Sequence, residues 1–143
     1  MARAFHCSLT RIFGREIKLF FWGGIIPAHI STPEAVQINE HSFIDTKYLV
    51  PEDFINHSCN PNTKLDLKQR WFIAIKNIPK NTEITFNYLT TEWDMKKYGT
   101  EFKCSCGAKN CFGYIKGFRY LTRKQKEKLR PLLSPFLLSK LND

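Results

Sequence analysis

The sequence lacks any apolar run that approaches about 18 residues, so no transmembrane helix is expected. It also lacks internal repeats, low-complexity stretches and a linker, and 143 residues therefore predict a single domain. A secretory signal is not expected, because charged residues such as Arg15, Glu16 and Lys18 interrupt the apolar stretch near the start. These absences favour an intracellular chain in a reducing compartment, nuclear or cytoplasmic, with no membrane partner.

Acidic residues are scarce relative to basic ones: 13 Asp or Glu stand against 22 Lys or Arg, for a net charge of +9. The last 30 residues carry eight Lys or Arg and only two acids, so most of the net charge lies there. This balance suits an acidic partner, such as nucleic acid or an acidic protein face, and it equally suits a solvated charged helix.

The five cysteines are odd in number, and three of them follow the spacing Cys104-x-Cys106-x4-Cys111. Without a secretory signal, this cluster indicates a metal site rather than disulfides, with ordinary buried thiols as the less favoured reading. A structural zinc site requires four tetrahedral ligands. The candidates for the fourth ligand are Cys7, Cys59 and a histidine. The polar surroundings of Cys59 favour Cys59.

Local patterns predict many short strands and few helices, which is a mainly β fold. Residues 12–26 read as strand ending at Gly23-Gly24, residues 35–44 as a half-buried strand, and residues 64–78 as a hairpin. Helical turns are predicted near residues 51–57 and 92–98. The clearest helix is in the tail, where Thr122 and Gln125 form a capping-box pattern and Pro131 predicts a break.

A polar loop at residues 56–62, "NHSCNPN", contains a histidine and a cysteine. Taken singly, a histidine or a tyrosine is more often a satisfied structural residue than a catalytic one. In this order, however, "NHSCNPN", "TEITFNY" and "FKCSCGAKNCFG" resemble a SET-domain protein lysine methyltransferase with its post-SET zinc loop. The resemblance covers residues 54–117 and extends more loosely back to about "IKLFFWGG". The family's glycine-rich N-terminal segment is not recognisable in residues 1–24.

The resemblance implies a role for each matching residue. Asn56 and His57 would contact S-adenosylmethionine, and Phe102 would pack near this cofactor. Tyr88 would be the catalytic residue beside the cofactor, and Phe86 would lie beside the lysine channel. The resemblance further implies a structural Zn²⁺ ion, bound by Cys59, Cys104, Cys106 and Cys111.

The implied fold is SET-like: short strands and small sheets, a threaded knot-like C-terminal segment, a zinc loop and a C-terminal helix. The implied domains are a SET domain at residues 1–103 with a short N-terminal part, a post-SET zinc loop at 104–118, and a basic helical tail at 119–143. The implied activity is methyl transfer from S-adenosylmethionine to a neutral lysine of a protein, with histones and nucleosomes as candidate substrates. The alternative is a catalytically weak or inactive SET-like zinc module that binds protein or nucleic acid through its basic tail.

Overall fold

Short strands dominate the part of the chain that the computed structural model describes, residues 18–20 and 23–141. The strands are β1 Lys18–Phe20, β2 Gly24–Pro27, β3 Val36–Gln37, β4 Ser42–Asp45, β5 Asn56–His57, β6 Thr63–Asp66, β7 Trp71–Ala74, β8 Thr85–Phe86, β9 Phe102–Lys103 and β10 Tyr114–Ile115. Two α-helices, α1 Arg123–Leu129 and α2 Pro135–Ser139, lie near the end. Single 3-10 turns occupy Ala28–Ile30, Pro51–Phe54, Tyr88–Thr90, Met95–Tyr98, Phe118–Tyr120 and Arg130–Leu132. The mainly β, SET-like fold expected from the sequence is confirmed.

Four small sheets organise these strands. Strand β7 lies between β1 and β6, and β4 lies between β2 and β3, with antiparallel pairing in both sheets. Strands β9 and β10 form an antiparallel pair, whereas β5 and β8 pair in parallel. Because each strand is so short, side-chain packing must supply much of the stability of these sheets.

The hairpin predicted at residues 64–78 is confirmed by strands β6 and β7. Leu65 pairs with Phe72 across the two strands, and both side chains are buried. The turn is fixed by Asp66, whose carboxylate accepts hydrogen bonds from the backbone N–H groups of Lys68 and Gln69.

Two strand predictions were wrong in detail. Residues 35–44 form two antiparallel strands rather than one, because Asn39 accepts a hydrogen bond from the N–H of His41 and closes a turn. Strand β2 begins at Gly24, where the sequence predicted a strand to end. The predicted part before Lys18 lies outside the described residues. The helical turns expected near residues 51–57 and 92–98 are confirmed by Pro51–Phe54 and Met95–Tyr98.

Two buried clusters form the core, and Tyr88 packs against both. The first joins the sheets and consists of Val36, Ile44, Ile55, Leu65, Phe72, Ile84 and Phe86. The second joins the cysteine-rich segment to the tail and consists of Cys59, Leu89, Met95, Ile115, Phe118, Leu129, Leu133, Leu137 and Leu141. The position of Tyr88 therefore depends on the packing of both clusters.

The tail packs against the rest of the fold. Helix α1 begins with the predicted capping box at Thr122, and it ends at Leu129 before the break predicted by Pro131. Ser134 caps α2 and donates its backbone N–H to the carbonyl of Thr90 at 2.9 Å. Among the described residues, no helix is both long and apolar enough to cross a membrane.

We expect Gly117→Ala to destabilise the protein by about 2–4 kcal/mol. Gly117 has a φ of 115°, and an added Cβ would lie 2.5 Å from the carbonyl oxygen of Trp93. Urea denaturation would measure the loss. The matched control is Gly24→Ala, since a Cβ at Gly24 would meet nothing within 4 Å. Equal stability of the two variants would contradict this account of Gly117.

Candidate functional site

The site is built on the parallel pairing of β5 and β8. Asn56 lies opposite Thr85, and His57 lies opposite Phe86. The pairing continues past the strands, where the N–H of Ser58 donates to the carbonyl of Phe86 at 3.0 Å. The "NHSCNPN" loop and the "TFNY" segment are therefore held side by side, although 22 residues of chain separate them.

Asn62, the last residue of "NHSCNPN", fastens this pairing. Its buried side chain accepts the N–H of Thr85 at 2.8 Å and donates to the carbonyl of Glu83 at 2.7 Å. A buried amide that satisfies both a donor and an acceptor on one neighbouring strand fixes the register of that strand. The sequence predicts that Pro61 and its flanking asparagines fix the turn of this loop, but it did not predict the long-range hydrogen bonds of Asn62 to residues 83 and 85.

The four cysteines implied as zinc ligands lie together. The sulfur atoms of Cys59, Cys104, Cys106 and Cys111 all lie within 4.8 Å of one another. Cys59 Sγ is 3.8 Å from both Cys104 Sγ and Cys111 Sγ. Four thiolates at about 2.3 Å from a tetrahedral zinc ion lie about 3.8 Å apart, so the cluster fits a zinc ion. Cys7, the alternative fourth ligand, lies outside the described residues.

The environments of the thiols differ. Burial raises the pKa of Cys59, and it raises that of Cys104 to about 11. Burial also opposes ionisation of Cys106, but hydrogen bonds from the backbone of Cys59 and Ala108 outweigh it and lower the pKa to about 6. Metal binding requires deprotonated thiols, so a cation that draws all four into the thiolate form would release protons and stabilise the segment.

Tyr88 lies on the wall of a cavity of about 380 Å³. Its hydroxyl donates to the carbonyl oxygen of Ile55 at 2.9 Å, which fixes the ring and the hydroxyl direction. The Phe86 ring centre lies 4.9 Å from that of Tyr88, and the Phe102 ring centre lies 6.0 Å away. Phe86 and Phe102 line the same cavity, so the structure brings these three predicted site residues together.

The Tyr88 hydroxyl is neutral near pH 7. Burial raises the pKa of Tyr88 to about 12, and the carboxylates of Glu92, Glu34 and Glu83 act in the same direction. A neutral phenol can donate and accept hydrogen bonds, but it does not remove a proton from an amine at this pH. Its chemical use is therefore orientation and polarisation.

Asn56 and His57 are not among the residues that line this cavity. The Asn56 side-chain amide donates to Glu83 Oε1 at 2.6 Å. His57 Nδ1 accepts the N–H of Tyr88 at 3.1 Å, and its Nε2 lies 3.2 Å from Cys59 Sγ. Burial lowers the pKa of His57 to about 4, so the ring is neutral and links the Tyr88 backbone to the cysteine cluster. Cofactor contact by Asn56 and His57 stays a prediction.

Glu92 is a cavity residue that the sequence analysis missed. Its Oε1 accepts the N–H of Gln37 at 3.1 Å, and Gln37 Oε1 accepts the N–H of Trp93 at 2.8 Å. Burial raises the pKa of Glu92 to about 7. No local pattern signals this role, because Gln37 and Glu92 are 55 residues apart in the sequence.

Comparison with known proteins gives consistent similarities. The SET domain family matches residues 10–89. This match begins earlier in the chain than residues 54–117, which the motifs cover. Histone-lysine N-methyltransferase, H3 lysine-9 specific dim-5, of Neurospora crassa is 34% identical over 90 residues, 50% of this chain and 27% of that protein. Methyltransferase flvH of Aspergillus flavus is 38% identical over 66 residues, 45% of this chain and 35% of that protein.

A third relative extends the pattern. The H3 lysine-36 specific histone-lysine N-methyltransferase of Mycosarcoma maydis is 39% identical over 71 residues, 45% of this chain and 7% of that protein. The chain thus spans no more than 35% of the length of these relatives.

We expect Cys59→Ser to lose most of the bound zinc, because a hydroxyl replaces a thiolate at the centre of the cluster. Elemental analysis of the purified protein would measure this against a wild-type content of about one zinc per chain. Cys7→Ser is the matched control and should keep its zinc. Full zinc in the Cys59 variant together with loss in the Cys7 variant would reassign the fourth ligand.

We expect Glu92→Gln to raise the free energy of unfolding, relative to the wild type, by about 2 kcal/mol more at pH 8 than at pH 5. The pKa of Glu92 is raised from 4.5 to about 7 in the folded chain, so the folded chain binds the extra proton between these values. Folding therefore becomes less favourable as pH rises through this range, and glutamine removes that dependence. Urea denaturation at both pH values would measure it, and a constant difference would contradict the shift.

Proposed function

The chain belongs to the SET-domain family, and we propose that it is a protein lysine N-methyltransferase that uses S-adenosylmethionine and acts on a neutral lysine amine beside Tyr88. The observation that carries the proposal is the position of Tyr88, on the wall of a cavity whose other aromatic residues include Phe86 and Phe102. The Tyr88 hydroxyl is held in one direction by its hydrogen bond to the carbonyl of Ile55. This is the kind of rigid, oriented group that a transfer reaction requires.

The cavity suits the nucleophile. Phe72, Phe86 and Phe102 supply apolar wall beside Tyr88. An apolar environment disfavours the charged ammonium and lowers the pKa of a lysine, so more of the reactive neutral amine is present at a given pH. The neutral Tyr88 hydroxyl can orient that amine without taking its proton.

The cofactor supplies an electrophilic methyl group on a positively charged sulfur when it is bound. The cavity of about 380 Å³ lies within the size range of small-molecule sites. Phe102 would contribute an aromatic face to the cofactor. The proposal includes contacts of Asn56 and His57 with the cofactor, and both residues lie on β5, beside Tyr88.

The zinc loop at residues 104–118 would act as a staple rather than a catalyst. Four thiolate ligands leave no open position for a substrate or a water molecule on a tetrahedral zinc ion. Phe102 lies on β9, two residues before the first cysteine of the loop, and β9 pairs with β10 to close the loop. Binding the metal would therefore also order the cavity wall at Phe102.

The substrate that the relatives favour is a histone lysine. The names of the Neurospora crassa and Mycosarcoma maydis relatives specify histone H3. Histone proteins or nucleosomes are therefore the first substrates to test, and a nuclear location would follow from them.

The alternative is a non-catalytic zinc module that binds through its basic tail. Exposed cations on and after α1, namely Arg123, Lys124, Lys128 and Arg130, are the observation that favours it. Calorimetry with S-adenosylmethionine separates the two functions, because the enzyme must bind this cofactor and the module need not.

Tyr88→Phe should lower methyl transfer by at least about 100-fold, because the oriented hydroxyl is lost. The assay is mass spectrometry of recombinant histones incubated with S-adenosylmethionine. Cofactor affinity should change little, since the ring remains in place, and the chain should stay folded although the lost hydrogen bond to the Ile55 carbonyl costs about 1 kcal/mol. Tyr114→Phe changes an exposed residue of β10; it is the matched control and should retain activity. Undiminished transfer by Tyr88→Phe would rule out the catalytic assignment.

A further inference from the structure

One 25-residue segment holds most of the net positive charge of the chain. Residues 102–126, which run from β9 into helix α1, contain seven Lys or Arg and no Asp or Glu. The other 118 residues contain the remaining 15 basic residues and all 13 acids, so they are nearly neutral. The positive charge is therefore concentrated on the zinc loop and the start of the tail rather than spread over the whole chain.

The pairing of β9 with β10 gives this segment two different faces. Lys103 lies opposite Tyr114. Phe102 lies opposite Ile115. Residues directly opposite one another in an antiparallel pair project to the same side. Ile115 is fully buried, whereas Lys103 is exposed and Tyr114 keeps 50% of its surface in solvent. The apolar side chains thus share the inner face, and the lysine and the tyrosine share the outer face.

A second lysine joins this outer face. The ammonium group of Lys116 lies 5.4 Å from the centre of the Tyr114 ring, and Lys116 is exposed. We call Lys103, Tyr114 and Lys116 the outer hairpin face. It presents one half-exposed aromatic ring together with two positive charges.

The two lysines have no acidic partner within the part of the chain that the structure describes. The ion pairs of Lys and Arg in that part belong to other cations, and they are Arg119 with Asp94, Arg130 with Glu127, and Lys140 with Glu40. Lys103 and Lys116 therefore present uncompensated charge to solvent, and this charge attracts an anionic partner.

The zinc centre offers a local alternative use for this charge. Four thiolates around one Zn²⁺ ion leave a net negative charge, which nearby lysines can offset. Backbone groups already serve the sulfurs, however: the N–H of Phe112 donates to Cys59 Sγ at 3.4 Å, and that of Gly113 donates to Cys111 Sγ at 3.3 Å. The exposed Tyr114 ring also has no part in such compensation. The alternative predicts that zinc is lost when the lysines are removed.

A strand of nucleic acid is the partner that uses both the lysines and the ring. Its phosphates are the anions, and an unpaired base can stack on an exposed aromatic side chain. An acidic peptide would satisfy the lysines and leave the ring unused. The bases of a duplex are already stacked on one another, so a single strand suits the ring better than a duplex does.

We propose that the outer hairpin face binds single-stranded nucleic acid, with Lys103 and Lys116 on its phosphates and Tyr114 stacked on a base. The inference goes beyond methyl transfer and does not depend on it, because none of these three residues lines the cavity beside Tyr88. It also differs from binding through the basic tail, since all three residues precede α1.

Fluorescence anisotropy on the full, zinc-loaded chain tests the role of the ring. The probes are labelled oligo(dT), labelled oligo(U) and the duplex of oligo(dT) with its complement, and the two single strands distinguish DNA from RNA as the source. We expect a single strand to bind at least about 5-fold more tightly than the duplex at the same salt concentration. Tyr114→Ala should remove this preference, whereas Tyr114→Phe keeps a stacking ring and should bind as the wild type does.

The salt dependence of binding tests the lysines. Each phosphate contact of a single strand contributes about 0.7 to the slope of log affinity against log salt concentration, so the double variant Lys103→Gln, Lys116→Gln should lower the slope by about 1.4. The matched control is Lys124→Gln, Lys128→Gln, which removes the same charge from exposed positions of α1 and should keep the wild-type slope. Both double variants should keep their zinc.

Three results would overturn the proposal. An equal loss of slope in the two double variants would mean a general attraction to the net charge. Loss of zinc in the Lys103, Lys116 variant, with oligonucleotide binding by the zinc-loaded fraction unchanged, would assign these lysines to the metal centre. Binding of the duplex as tightly as the single strands by the wild type would remove the stacking role of Tyr114.

Discussion

The parallel pairing of β5 with β8 is the constraint on which the rest of the site depends. Each strand has only two residues, so the pairing would be weak without the side chain of Asn62, which bonds both the N–H of Thr85 and the carbonyl of Glu83. Once the register is set, the Tyr88 hydroxyl reaches the carbonyl of Ile55, and Cys59 projects towards the cysteine-rich segment. One short interaction thus positions both the tyrosine and the metal cluster.

His57 extends this coupling, because it contacts both halves of the site. It accepts the N–H of Tyr88 on one nitrogen and lies against Cys59 Sγ on the other. Its neutral form is needed for the first contact, and burial maintains that form. Ordering of the cysteine cluster therefore bears directly on the backbone of Tyr88. This makes the cluster more than a local staple for its own loop.

The sequence predicted the parts of the site that are carried by contiguous motifs. The hairpin β6–β7, the capping box at Thr122 and the break at Pro131 follow from local rules, and they were confirmed. The meeting of the acidic residues in the cavity could not be predicted, because Glu34 lies in an irregular segment, Glu52 lies in a separate 3-10 turn, and Glu92 bonds a residue on β3 that is 55 positions away. Long-range pairing, not local propensity, decides where such residues meet.

The tail shows why net charge alone did not predict its role. Arg119 pairs with Asp94 at 2.7 Å, and Lys140 pairs with Glu40 at 2.6 Å. Lys126 is buried, with its ammonium 5.6 Å from the centre of the Trp93 ring. Trp93 follows Glu92, whose carboxylate lines the cavity, so these cations help to hold the cavity wall in place. Part of the basic charge is therefore structural, because these cations support the segment that carries Glu92.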